Sequence, residues 1–143
     1  MLSKIMSNLT LFIIIAAIGY LGLWILGSLL FLFYFKLFKV SIDLKHVVNM
    51  IRKLPATISI LTVPTCSFIS FFFVTKMSLG ILVLSVNTTE IIQLDFICLL
   101  ITIILDLLIT VFGEKVDIRI YPVNLIYVLA WLAIIPAVFL GAR

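Results

Sequence analysis

Charged residues are scarce in this sequence, and so are the residue types on which metal, redox and nucleophilic sites depend. Of its 143 residues, 11% are Asp, Glu, Lys or Arg, two are cysteines and one is a histidine. An average soluble domain has about a quarter of its residues charged, so water is not the main solvent of this chain. The net charge of +4 is small and scattered among apolar residues, which predicts no direct nucleic-acid binding.

The sequence patterns of common catalytic and metal sites are also missing. There is no HExxH, no Gly-rich phosphate loop and no CxxC, and the one histidine, His46, lies in a connecting loop without a credible serine and acid set. Cys66 and Cys98 lie inside apolar runs, which indicates packing roles and neither a disulfide framework nor a thiolate metal site. We therefore expect a protein that is not an enzyme and has no cofactor or metal ion.

Apolar residues make up the rest of the chain, at 65% of the sequence with a mean hydropathy of +1.43. A helix needs about 20 apolar residues to cross the hydrocarbon core of a bilayer, so this length predicts roughly four crossings with short connections. The expected fold is all-α: one polytopic membrane domain, residues 1–143, with four transmembrane helices and a cytoplasmic amphipathic helix. The predicted spans are residues 9–35, 55–75, 91–112 and 120–140.

Residues 76–90 are predicted to form an outer loop, because the apolar stretch within them, Leu79 to Val86, is too short to cross. The first span is longer than the core of a signal peptide and lacks a small-residue cleavage site, so we expect it to be retained.

The distribution of lysine and arginine predicts the orientation in the membrane, because cytoplasmic loops carry an excess of both. The richest connection is KLFKVSIDLKHVVNMIRK, Lys36 to Lys53. With this loop inside, the basic residues on the cytoplasmic side are Lys36, Lys39, Lys45, Arg52, Lys53, Lys115 and Arg119, against Lys4, Lys76 and Arg143 outside. We expect a multi-pass protein of the cell inner (plasma) membrane with both termini outside the cytoplasm.

The same loop has the spacing of an amphipathic helix. Its apolar positions are Leu37, Val40, Leu44, Val47, Val48 and Ile51. One interpretation is a helix in the membrane interface, with basic residues on anionic headgroups. The other is a docking platform for a cytoplasmic protein. The residues that would carry either role are Lys36, Lys39, Lys45, His46, Arg52 and Lys53.

The third span carries a polar stripe, Asp95, Thr102, Asp106 and Thr110, because 11 residues are about three helical turns. A charged aspartate in mid-span costs about 2.5 to 3.5 kcal/mol on insertion scales, so we expect these groups to face protein or a wet cavity. They would form an ion or proton path or a polar switch, or hydrogen-bond to hydroxyls on neighbouring helices. The small polar face of the second span, Ser59, Thr62, Cys66 and Ser70, is expected to contact this stripe.

Small residues recur on the fourth span at Ala130, Ala133, Ala137 and Gly141, a spacing that lets another backbone approach closely. The partner helix would belong either to the same chain or to a second copy. Gly19, Gly22 and Gly27 of the first span leave the same alternatives. We expect the protein to form a homo-oligomer in the lipid bilayer.

As a whole, the chain resembles the membrane subunit of the Kiwa anti-phage defence system in size, span number, the basic loop KLFKVSIDLKHVVNMIRK and its bias to isoleucine, phenylalanine and lysine. The resemblance implies a small bacterial inner-membrane subunit, an oligomer that senses infection at the envelope and works with a cytoplasmic DNA-binding partner. The chain is also similar to the immunity proteins that block pore-forming colicins, which implies that it acts alone on a toxin's pore domain. A small ion or proton channel or transporter using Asp95 and Asp106 is the third hypothesis.

Overall fold

Four long helices make up most of the chain. A computed structural model describes residues 2–42, 50–81, 86–113, 115, 117, 119–120 and 122–143, and this part of the chain contains no β-strand. The helices are α1 (Leu2–Leu37), α2 (Ala56–Ile81), α3 (Thr88–Leu107) and α4 (Val123–Gly141), and a π-helical segment, Leu108–Gly113, continues α3.

All four helices are long and apolar enough to span a membrane, over Leu9–Leu37, Ala56–Ile81, Thr88–Gly113 and Val123–Gly141. The predicted all-α fold with four such helices is confirmed. The predicted cytoplasmic helix is not shown, because residues 43–49, which include Lys45 and His46, lie outside the described residues.

The second helix is longer than predicted. It continues beyond Thr75 to Ile81, so the predicted outer loop, residues 76–90, is partly helical and that assignment was wrong. The ammonium group of Lys76 lies 5.4 Å from the centre of the Phe72 ring, a cation–π contact that accommodates the charge on the helix surface. A lysine therefore lies within this helix without ending it.

The third helix starts at a capping box. The Asn87 side chain accepts a hydrogen bond from the Glu90 backbone N–H at 2.9 Å, and the Glu90 carboxylate accepts one from the Asn87 backbone N–H at 2.9 Å. These bonds satisfy two groups that the first helical turn leaves without a partner. The helix therefore begins at Thr88, slightly before the predicted span.

The helices form a bundle in which α1 and α4 each contact both α2 and α3. The order around the bundle is α1, α2, α4, α3, and the most extensive contact joins α2 to α4. Residues such as Ile15, Phe71, Leu94 and Ile134 fill the interior and are fully buried. Large apolar side chains also cover the outside, which suits helices surrounded by lipid and not by water.

Small residues account for the close contacts of α2 with its two neighbours. A Cβ atom built on Gly19 would lie 2.7 Å from the Phe71 ring, and one built on Gly22 would clash with the Ser70 hydroxyl oxygen. On the other side, a Cβ on Gly141 would lie 2.6 Å from the backbone oxygen of Phe72. These glycines therefore serve contacts within one chain.

Two of the three alanines in the α4 ladder also lie at contacts within the chain. Ala130 and Ala137 are buried at 2% and 0% exposure, whereas Ala133 is only half-buried. The Ala130 carbonyl accepts a hydrogen bond from the Ser67 hydroxyl of α2 at 3.0 Å. Of the two alternatives that the sequence left open, the structure shows contact within the chain for Ala130, Ala137 and Gly141.

Candidate functional site

Asp106 lies at the meeting point of three helices. Its Oδ1 atom accepts a hydrogen bond from the Tyr20 hydroxyl of α1 at 2.9 Å, and its Oδ2 atom accepts one from the Trp131 indole N–H of α4 at 2.8 Å. The side chain is 6% exposed. A carboxyl group in this position joins α1, α3 and α4 through one polar centre.

The other residues of the predicted polar stripe, Asp95, Thr102 and Thr110, have different surroundings from Asp106. Thr110 shares a hydrogen bond with the Tyr127 hydroxyl of α4. The Thr102 hydroxyl and one Asp95 oxygen are buried without a hydrogen-bond partner among the described residues, and Asp95 as a whole is half-buried. Asp106 of α3 and Thr110 of its π-helical continuation therefore form side-chain hydrogen bonds to other helices.

The polar face of α2 does not contact the aspartate stripe in the predicted way. The Ser70 hydroxyl donates to the Gly19 carbonyl of α1 at 2.7 Å, and the Ser59 hydroxyl donates to the Ile51 carbonyl at 3.3 Å. Cys66, by contrast, lines a cavity together with Asp106. The helical spacing identified a polar face, but α2 lies diagonally opposite α3, so Ser59 and Ser70 of that face meet other neighbours.

Tyr20 and Trp131 were missed as partners of Asp106. The sequence predicted hydroxyls on neighbouring helices as possible partners, and the Tyr20 hydroxyl is such a group, but neither Tyr20 nor the Trp131 indole was named in advance. Tyr and Trp are usually enriched at the two membrane interfaces, where their polar atoms reach water. Here both lie deep inside apolar runs, and that position was the available signal that each needed a buried hydrogen-bond acceptor.

A cavity of about 150 Å³ lies beside Asp106, between the C-terminal half of α1 and the N-terminal half of α4. Aromatic side chains line it, namely Trp24, Phe31, Phe35 and Tyr127. Gly27 is buried, and a Cβ atom built on it would meet nothing within 4 Å. The α1 glycine that makes no close helix contact therefore leaves space in this cavity.

Basic residues surround the same end of the bundle. Lys36, Lys39, Arg52 and Lys53 are exposed, and none of them pairs with a carboxylate in the part of the chain that the structure describes. These four residues are called the basic end below.

The α1 helix ends in a Schellman motif, which contains two residues of the basic end, Lys36 and Lys39. Lys39 has a φ of 53°, the Val40 N–H bonds to the Phe35 carbonyl at 2.9 Å, and the Lys39 N–H bonds to the Lys36 carbonyl at 3.4 Å. Val40 also packs against the cluster that contains Phe35. The motif fixes the direction in which the chain leaves the helix.

The other side of this connection is held by apolar packing. Met50 and Leu54, at 3% and 5% exposure, form a cluster with Phe31 and Phe35 of α1. These apolar residues therefore contact the protein and not lipid. Arg52 and Lys53 lie between them in sequence and are exposed, so the packing of Met50 and Leu54 holds two positive charges at the surface.

The turn between α3 and α4 carries an exposed ion pair at Asp117 and Arg119. The Arg119 Nε atom donates to the Asp117 carboxylate at 3.1 Å, and its backbone N–H donates to the same carboxylate at 2.9 Å. These bonds hold the pKa of Asp117 below its ordinary value. Exposed pairs of this kind contribute little to stability.

The described residues contain no group of His, Cys, Asp and Glu able to hold a metal ion. Comparisons with protein-family models, with curated proteins and with solved structures find no match to this chain. The candidate sites are therefore the basic end and the Asp106 cavity, both defined by this chain's own residues.

Proposed function

We propose that this protein is a membrane-embedded adaptor of a bacterial inner membrane that recruits a soluble cytoplasmic protein to its basic end. Its resemblance to the membrane subunit of the Kiwa system suggests that the recruited protein is an anti-phage effector and that envelope perturbation is the trigger. The observation that carries the proposal is the packing of Met50 and Leu54, which flank Arg52 and Lys53 in sequence, against the aromatic residues at the end of α1.

Exposed lysines and arginines alone would equally suit a helix lying on lipid headgroups. An interfacial helix directs its apolar side chains into the acyl region. Met50 and Leu54 instead pack on Phe31 and Phe35, so at these positions the apolar contacts are made within the bundle. That arrangement supports a platform that presents Arg52 and Lys53 to a partner with an acidic surface, since complementary charge favours association.

The surroundings of Asp106 favour an adaptor over an ion path. Both carboxyl oxygens accept hydrogen bonds from neighbouring helices, an arrangement that serves cohesion of the bundle. A homo-oligomer remains part of the proposal. The small residues that suggested it are used mostly within the chain, so the oligomer would form through the exposed apolar faces.

Co-purification with the product of a neighbouring gene that encodes a soluble protein tests the adaptor role, and the lack of any such gene would count against it. The test variant is Arg52→Glu with Lys53→Glu. The matched control is Lys76→Glu with Arg143→Glu, which makes the same change of charge at two exposed residues of the opposite end. We expect the wild type and the control to retain the soluble protein on isolated membranes and the test variant to lose most of it.

Equal retention by the test variant and the wild type would contradict the docking role. Since charge reversal can alter insertion, membrane orientation is measured for both variants, and only variants inserted like the wild type are compared. Loss of the soluble protein from both variants alike would indicate a general charge effect and would also count against the basic end as the docking site.

A further inference from the structure

The Asp106 cavity joins one acidic group to an almost entirely apolar wall. Apart from Asp106, the lining is formed by aromatic and aliphatic side chains with Gly27, Ser28 and Cys66 among them. None of the described residues that line it is lysine, arginine or histidine. Within the described residues, no positive group at this site balances a charge on Asp106.

The four aromatic rings add a second preference for positive charge. Trp24, Phe31, Phe35 and Tyr127 all border the cavity, and the faces of such rings attract ammonium groups, most strongly where water is excluded. Asp106 accepts two hydrogen bonds, and a carboxylate has about four lone-pair sites, so it retains capacity for a further donor.

The opening of the cavity indicates how a ligand would enter. Ser28 and Leu32 are the exposed lining residues of α1, and both belong to the apolar span Leu9–Leu37. Ile42, Met50 and Ile51 lie at the end near the basic residues. The exposed lining residues therefore include two within a span that lipid would surround, Ser28 and Leu32, and one beyond it, Ile42, so a molecule dissolved in the bilayer would reach the cavity beside Ser28 and Leu32.

From these features we infer that the cavity is a binding site for a small lipophilic cation, an aromatic or alkyl ammonium that places its charge at Asp106 and its apolar part among the four rings. A cavity of about 150 Å³ holds a molecule of about the size of benzene or slightly larger. This site is independent of the docking role of the basic end.

Equilibrium dialysis of full-length protein in lipid nanodiscs tests the inference, with empty nanodiscs subtracted. The probes are benzylammonium, ethylbenzene, which is similar in shape but neutral, and benzoate. We expect the wild type to bind benzylammonium about tenfold more tightly than ethylbenzene, and to bind no benzoate. Equal binding of benzylammonium and ethylbenzene, or preference for either other probe, would overturn the inference.

Two variants and one control test separately the cavity volume and the Asp106 carboxyl group. Gly27→Leu places a large side chain in the cavity, where a Cβ atom on residue 27 meets no neighbour within 4 Å. It should therefore abolish saturable binding of benzylammonium without loss of helix content. Asp106→Asn should remove the preference for the cation, whereas Asp95→Asn, which changes an acid outside the cavity lining, should keep it. Unchanged binding in Gly27→Leu would show that the ligand lies elsewhere, and this result overturns the inference even if Asp106→Asn fails to fold.

Discussion

Asp106 shows how a buried acid is accommodated between apolar helices. A carboxyl group is costly in the interior of a membrane helix unless polar groups surround it. Tyr20 and Trp131 supply one donor each, from helices on both sides of α3. The sequence predicted that this acid would face protein, but it did not identify the donors, because helical spacing gives the face of one helix and not the residues opposite it.

The hydrogen bond from Tyr20 to Asp106 is expected to stabilise the bundle measurably. Tyr20→Phe removes the hydroxyl and keeps the ring, so it should lower the free energy of unfolding by about 1 kcal/mol, in the range of interhelical bonds in membranes. Unfolding in mixed micelles with increasing denaturing detergent provides the measurement. A loss below about 0.3 kcal/mol would mean that this bond is not part of what holds α1 to α3.

Tyr34→Phe is the matched control for this experiment. Tyr34 lies on the same helix and is half-buried, and it packs edge-on against Phe31 with ring centres 6.3 Å apart. Its hydroxyl makes no hydrogen bond to the described residues. The same atom is deleted in both variants, so a change confined to Tyr20→Phe is assigned to the Asp106 contact.

Among the helices, the pair α2 and α4 depends most clearly on side-chain size. Gly141 lies against the α2 backbone, with 2.6 Å between an added Cβ atom and the Phe72 oxygen. A backbone cannot move aside as the end of a flexible side chain can, so even a methyl group requires the helices to shift apart.

Gly141→Ala should therefore destabilise the protein, by about 1 to 3 kcal/mol, as overpacking in a close contact does. Gly80→Ala is the control, because it adds the same methyl group to α2 where nothing lies within 4 Å. Replacing a helical glycine there should leave stability equal or slightly higher. Thermal unfolding of both variants in the same detergent tests this prediction, and equal melting temperatures would contradict the described contact.

The sequence predicted the four helices better than the residues at which they begin and end, for physical reasons. Apolar runs identified the four helices, because a run of that length requires a membrane or a buried helix. They did not give the end of α2, since a helix can continue past the apolar region when its charges find partners, as Lys76 does over Phe72. The start of α3 was readable in principle, because Asn87 and Glu90 have the spacing of a capping box.

At the scale of the whole molecule, charge and apolar surface are separated. Exposed apolar side chains cover the sides of the bundle, and the basic end lies where α1 stops and α2 begins. Both features were accessible from the sequence. The attachment of the basic end through Met50 and Leu54 was not, because that contact depends on how the chain turns after Lys39. The proposed function requires this end to lie in the cytoplasm.

Labelling of cysteines introduced one at a time, in intact bacterial cells, tests that arrangement most directly. Lys39→Cys and Lys76→Cys place a thiol at exposed positions of opposite ends, while native Cys66 and Cys98 are 1% and 0% exposed and so should stay unlabelled. With a maleimide that does not cross the inner membrane, we predict that the Lys76→Cys variant reacts and that the Lys39→Cys variant reacts only after the cells are lysed. Labelling of the Lys39→Cys variant in intact cells, with the Lys76→Cys variant protected, would contradict a cytoplasmic basic end and with it the adaptor role.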